Sequence, residues 1–471
     1  MGRIGASKQE REENDKKPVI AHLRRDFLPI TETFIENQIL GLENFDSVVL
    51  AREASGRFLS GSRGFKIFSK KSAGAKSLLK IASKKEEDFF IKKINESRAC
   101  LLHAYFGADA WYFLNLKKRT NLPLIVSFYG YDAYSLPKKM FGAGKLILKK
   151  VFVVCDLVLV PSEQMKMQLV DLSCDERKIK VLPWGVDTER IVEKRKENPS
   201  TPFTKGETEE GVEIPLAPFT KGERKEEFRN IPTPFAKAVS LIFPPFGRGI
   251  KGDFKNIPNP FAKGETEEES DTSPLPSSQR RGKKIRFIHI GRMVEKKGQI
   301  YLLRAFKAVL EKGVDAQLTI IGTGRFKKKI MAAIDKLKIS DRVKQVDNLP
   351  NEQVFDELTR HDIYVQPSVI AKNGDQEGIP TAIMEAMLCG LPVIATFHSG
   401  IPEIIENKVS GILVPERDSE RLAEAMEFLA KNPEICQRFS ENGRKAIKEK
   451  FNLKKQVKKI EEVYMEMIER S

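Results

Sequence analysis

Cysteine is scarce in this chain of 471 residues. The five present, Cys100, Cys155, Cys174, Cys389 and Cys436, form no Cys-x-x-Cys pair and no His/Cys cluster at zinc spacing, so they read as ordinary residues of a reducing compartment. An Asp-x-Asp pair is also missing, and nothing here forces a metal or disulfide staple. The most apolar run, VFVVCDLVLVP at 151–161, is too short to span a bilayer and is broken by Asp156. The N-terminus, MGRIGASKQEREENDKK, has no apolar segment of a signal peptide, and Ala6 stands where myristoylation needs Ser or Thr. These absences place the protein in the cytoplasm. No nucleic-acid-binding motif is visible, so nucleic acid is not an expected partner.

What is abundant is positive charge, with 81 Lys and Arg against 65 Asp and Glu, a formal net charge of +16. From Gly61 to Lys85 there are about eight basic residues and no acidic one, interleaved with Phe65, Ile67, Phe68, Leu78, Leu79 and Ile81. A second patch is KKMFGAGKLILKK at 138–150. Basic amphipathic stretches suit an anionic membrane surface, where each basic residue contributes about 1 kcal/mol. The expected location narrows to the periphery of the inner face of the plasma membrane, with a merely solvated basic face as the plainer alternative.

Short apolar runs alternate with helical patterns in two halves. PVIAHLRR, ACLLHAYF, PLIVSFYG, DLVLVPS and KIKVLP read as buried strands of the first half; KIRFIHIG, QLTIIGTG, VKQVDN, DIYVQPS, LPVIATF and GILVP repeat the rhythm in the second. Two parallel-sheet α/β domains follow, with ligand expected in a cleft at the carboxyl ends of the strands. The boundaries predicted are a polar tail over 1–17, a first domain over 18–198, an insert over 199–282, a second domain over 283–450, and a C-terminal helix over 451–471 packing back on the first domain. The insert carries about 12 of the 25 prolines and repeats itself as TPFTKGETEE, APFTKGERKEE and NPFAKGETEEE, a composition that buries too little apolar surface to fold alone. It reads as a disordered passenger, or as a tether presenting Pro-Phe dipeptides.

The second half carries the chemistry. In IHIGRMVEKKGQ a strand ends at Gly291, and Arg292 and Lys297 put two cations at the sheet's carboxyl edge, where a diphosphate would sit. Gly322 and Gly324, in IIGTGRF, allow close backbone approach. In EGIPTAIMEAM, Glu377 and Glu385 lie eight positions apart across Pro380. Proline suits a helix start, so Glu377 falls on the preceding loop and Glu385 within the helix, whose first amides, Thr381 among them, face the cleft. Carboxylates beside a phosphate site make sense facing hydroxyls. Phosphate in the middle and hydroxyls at both ends describe a nucleotide sugar.

GRMVEKKG, the glutamate pair, CGLPVIAT and HSGIPEII resemble the retaining GT-B glycosyltransferases of group 1, and FLPITETFI, HAYFGADA and SFYGYDA point to the exopolysaccharide, colanic-acid-type branch. The likeness covers 18–198 and 283–471. It implies two Rossmann-like domains facing a cleft. It also implies a nucleotide-sugar donor, a saccharide or lipid-linked acceptor, no metal, and retention at the anomeric carbon without a protein nucleophile. Arg292 and Lys297 would hold the diphosphate. Glu377, with the amides of Gly378 and Ile379, would meet the transferred sugar, and Glu385 the ribose. His103 would lie beside the sugar, with a histidine satisfied inside the sheet as the alternative. Thr31, Glu32 and Asp132 would stand on the acceptor side, although Pro29 to Thr33 replace the family's Gly-Gly loop and Tyr129 a common histidine. Ile379 and Pro380 replace its Phe-Gly pair. Two other readings share this sequence: a nucleotide-sugar epimerase on the same scaffold, and a non-enzymatic basic adaptor at membranes.

Overall fold

The computed structural model describes residues 17–27, 33–54, 65–70, 80–139, 142–189 and 284–471. Two fully parallel sheets organise them. The first comprises β1 (Val19–Phe27), β2 (Asp46–Ala54), β3 (Phe65–Ser69), β4 (Ala99–Tyr105), β5 (Leu124–Ser127), β6 (Leu157–Val160) and β7 (Ile179–Val181), in the order β3-β2-β1-β4-β5-β6-β7. The second comprises β8 (Ile285–Ile290), β9 (Ala316–Ile321), β10 (Val343–Val346), β11 (Ile363–Gln366), β12 (Val393–Thr396) and β13 (Ile412–Val414), in the order β10-β9-β8-β11-β12-β13. Each sheet reverses its winding once, between β1 and β4 and between β8 and β11, and a crevice opens at the carboxyl ends of the strands at such a point. This is the GT-B arrangement of two Rossmann-like domains.

The strands form where apolar residues run without a break, because a parallel sheet covered on both faces is buried on both. β12, VIAT, and β11, IYVQ, are buried at every position. Two strands escaped the sequence reading. β2, DSVVLAREA, ends in charged residues, and β3, FKIFS, is a partly exposed edge strand inside the first basic stretch, which there serves the sheet.

Five helices bear on the site: α1 (Ala143–Val154), α2 (Glu163–Asp171), α3 (Gln299–Glu311), α4 (Thr381–Leu388) and α5 (Leu453–Glu469). α5 lies on the first sheet, where Ile460, Val463, Tyr464 and Met467 share a core with Ile20, Leu101, Ile125 and Leu159. Glu461 anchors it by accepting the N–H groups of Glu43 and Asn44, both at 2.7 Å. The insert over 199–282 lies outside the described residues, as do Thr31 and Glu32.

Candidate active site

The site is built on the turns that follow β8, β9, β11, β12 and β13. Gly291 directly follows β8, and a Cβ there would stand 3.1 Å from the Lys297 stem, so glycine lets the lysine fold back across the strand end. Gly322 and Gly324 have φ of +138° and +155°, and a Cβ on them would collide with the carbonyls of Gly291 and Met293 at 2.2 and 2.5 Å. The two glycines therefore seat the β9 turn directly on the β8 turn. Beneath them His289 is fully buried, its Nδ1 bonded to the Val365 carbonyl (2.8 Å) and its Nε2 to Gln299 of α3 (3.2 Å); burial holds its pKa down at about 4. Gln299 also donates to the Arg292 carbonyl at 3.1 Å, which sets the cationic turn.

The predicted cations and the first glutamate meet. Lys297 Nζ lies 2.9 Å from Glu377 Oε1, with both side chains nearly buried. Burial opposes the charge on Glu377, but Lys297 and Lys296 outweigh it and hold the carboxyl at about 2. Burial draws the Lys297 ammonium below its ordinary value, against the opposing pull of Glu377. Lys297 and Glu377, for which the sequence suggested separate roles, thus form one ion pair. Arg292 is exposed and, among the described residues, makes none of the side-chain bonds that tie down its lysine neighbours.

Pro380 precedes α4 directly, which puts Glu377 on the loop and Glu385 one turn inside the helix. The amides of Thr381 and Ala382 lie in the first turn and lack intrahelical acceptors. Glu385 is partly exposed, and burial of its remainder pushes the carboxyl up to about 7. Ile379 is buried in the second domain's core.

The glutamate loop also touches the first domain. A Cβ on Gly378 would come 2.5 Å from the Tyr129 carbonyl, and one on Gly130 3.2 Å from the Gly378 nitrogen. Only paired glycines allow that approach. Close by, Glu403 accepts the N–H groups of Glu163 (3.1 Å) and Gln164 (3.3 Å), capping α2 from the opposite domain. Burial raises its carboxyl to about 7, although those two amides favour the charged form.

Two predicted residues sit elsewhere. His103 has no exposed surface: its Nδ1 is 2.6 Å from the Tyr464 hydroxyl of α5 and its Nε2 2.8 Å from Ser127 Oγ. It is a packing element between β4 and α5, not a group lining the cleft. Asp132 is likewise buried, its oxygens taken by the N–H groups of Gly107, Tyr129 and Gly130. Burial lifts its carboxyl to about 6 against those bonds, and its work is to shape the turn that carries Gly130.

Other residues at the site were missed. Lys296 holds the loop through Asp375 (3.2 Å) and the Gln376 carbonyl (2.8 Å). His398, Ser399 and Glu416 surround Glu377 and its loop. HSGIPEII was conspicuous as a motif, but the partners of its histidine lie far off in sequence. Among the described residues no group of three or more His, Cys, Asp or Glu side chains could hold a metal ion.

The model of "Glycosyl transferases group 1" matches residues 274–446, and that of "Glycosyltransferase Family 4" residues 43–190. Each of the two sheet domains thus matches a glycosyltransferase family model. The chain is 42% identical over 139 residues to the amylovoran biosynthesis glycosyltransferase AmsK of Erwinia amylovora, covering 30% of this chain and 34% of that one. It is 38% identical over 142 residues to WcaL of Escherichia coli, named for colanic acid biosynthesis, covering 30% and 35%. The matches thus span about a third of these relatives' length. In structure it resembles Anabaena HepE, solved in complex with UDP-glucose, with a TM-score of 0.64 at 14% identity over 95% of this chain and 99% of that one. That likeness establishes the GT-B fold.

Proposed function

We propose that the protein transfers a sugar from a nucleotide-sugar donor to a saccharide or lipid-linked saccharide during cell-surface polysaccharide synthesis. The observation that carries this reading is the Lys297–Glu377 pair at the winding reversal of the second sheet, flanked by exposed Arg292 and the open first turn of α4. Arg292 and Lys297 would neutralise a departing diphosphate, a form of electrostatic stabilisation often worth several kcal/mol. Glu377 would accept hydroxyls of the transferred sugar and Glu385 those of the ribose. The anomeric carbon–oxygen bond to the diphosphate breaks, the acceptor hydroxyl forms the new bond, and its proton passes to a donor phosphate oxygen. Configuration is retained on this route, and no metal is required. The binding of UDP and UDP-glucose by HepE, and the names of AmsK and WcaL, support this class over an epimerase or a non-enzymatic adaptor.

An anionic membrane surface as partner is part of the same reading. α1 exposes Leu146 (63%) and Val153 (79%), seven positions apart and so on one face, among exposed Lys145, Lys149 and Lys150. No described helix is long and apolar enough to cross a membrane. Replacing the three lysines by glutamate should weaken sedimentation with phosphatidylserine vesicles at least ~100-fold, given about 1 kcal/mol for each basic residue near the surface. Unchanged binding would remove the membrane from the proposal.

The test of donor binding is a thermal-shift screen against UDP- and GDP-sugars. Stabilisation by one nucleotide class is expected. A flat response across the panel, with the protein folded, would count against the reading.

A further inference from the structure

The β11–α4 loop that carries Glu377 is fastened at two of its peptides in the same way. At Glu377, the N–H donates to His398 Nε2 (3.1 Å) and the carbonyl accepts from Ser399 Oγ (2.6 Å). At Ile370, the N–H donates to Glu416 Oε2 (2.8 Å) and the carbonyl accepts from the Arg417 guanidinium. Each clamp is a pair of consecutive residues on the turn after a strand, β12 for His398 and Ser399 and β13 for Glu416 and Arg417. The second member of each pair is held in the left-handed region, with φ of 48° at Ser399 and 61° at Arg417. Non-glycine residues hold that conformation only where their surroundings enforce it, and such strain gathers at functional sites.

One contact joins the clamps: His398 Nδ1 lies 2.6 Å from Glu416 Oε1. Because Nε2 accepts an amide N–H, the proton of a neutral ring must sit on Nδ1 and point at Glu416, so the two partners fix its tautomer. The ring is 1% exposed. We infer that His398 is a positioning residue for the donor sugar, acting through Glu377: held by Glu416, it fixes the Glu377 peptide and with it the direction of the carboxylate toward the sugar. The inference rests on the proposed role of Glu377. It predicts that His398 affects the sugar end of the donor and leaves the nucleotide end, at Arg292 and Glu385, alone.

The experiment measures by calorimetry the affinities of UDP and GDP and of the matching sugar nucleotides UDP-glucose, UDP-galactose, UDP-N-acetylglucosamine and GDP-mannose. Parent, His398→Phe, His398→Gln and Glu377→Gln are compared, together with donor turnover. His398→Phe keeps the ring shape without its nitrogens. It should bind the nucleoside diphosphate within about twofold of the parent, lose the extra affinity conferred by the sugar, and turn over at least ~10-fold more slowly, the scale expected when a reacting group is misdirected. Glutamine, whose carbonyl can accept the Glu377 N–H, should recover part of both. Parent-like sugar affinity and turnover in His398→Phe, or equal losses for diphosphate and sugar nucleotide, would overturn the inference. If Glu377→Gln itself behaves like the parent, the reading of Glu377 fails whatever His398 does; if only Glu377→Gln is impaired, the positioning role alone is refuted. Should His398→Phe fail to fold, Glu416→Ala, which frees Nδ1 and leaves the imidazole in place, is held to the same criteria.

Discussion

Replacing Lys297 by methionine removes the cation facing Glu377 while keeping the length of the stem. Glu377 is held at about 2 against its usual 4.5, and at about 1.36 kcal/mol per pH unit that gap is about 3 kcal/mol. Burial works against that gap, so the cations together supply more than it, with Lys297 the largest contributor ahead of Lys296 and His398. In the parent the folded value lies below the unfolded one. The stabilisation is therefore complete above about pH 4.5 and fades as the pH falls toward 2. In Lys297→Met, burial outweighs the remaining cations and lifts the carboxyl above its unfolded value. The variant then loses stability as the pH rises through that raised value. The difference between the two proteins should grow from pH 5 to pH 8 in calorimetric melts, and Lys297→Met/Glu377→Gln should recover most of it at pH 8. A difference that is absent, or constant over that range, would refute the ion pair as described.

Two further outcomes follow from the same electrostatics. Glu385 titrates at about 7, above its unfolded value, so its share of stability is complete below about pH 4.5 and is lost as the pH rises through 7. Glu385→Gln should gain about 1–3 kcal/mol relative to the parent between pH 5 and pH 8, seen in the same melts, while binding nucleoside diphosphate more weakly. Glu403→Ala removes the cap that the second domain places on α2 and should cost about 0.5–2 kcal/mol of stability, with Glu403→Gln in between.

Much of the fold was legible because buried parallel strands announce themselves as apolar runs: KIRFIHIG, DIYVQPS and LPVIATF became β8, β11 and β12. β2 and β3 were not, since the ladder and the neighbouring strand, more than their own hydrophobicity, make them strands. At the site, Pro380 correctly separated the two glutamates into loop and helix. Pattern could not tell which face of β4 His103 occupies, because that depends on α5, about 360 residues away in sequence, whose Tyr464 meets its ring. Nor could it foresee that Asp132 is consumed by three amides, or that Lys297 and Glu377 would pair. His398 and Glu416 gained meaning only once the turns after β12 and β13 came together.

In the proposed reaction Arg292 and Lys297 serve a departing nucleoside diphosphate. The measurement that meets it most directly is release of nucleoside diphosphate from a panel of UDP- and GDP-sugars, with and without a lipid-linked saccharide extract, by the parent and by Arg292→Ala. Acceptor-stimulated release by the parent is expected and, with the loss of a charge-assisted bond worth about 1.5–3 kcal/mol, release at least ~10-fold slower from a variant with an unchanged melting temperature. Equal turnover by the two proteins, or no release from any donor by the folded parent, would contradict it.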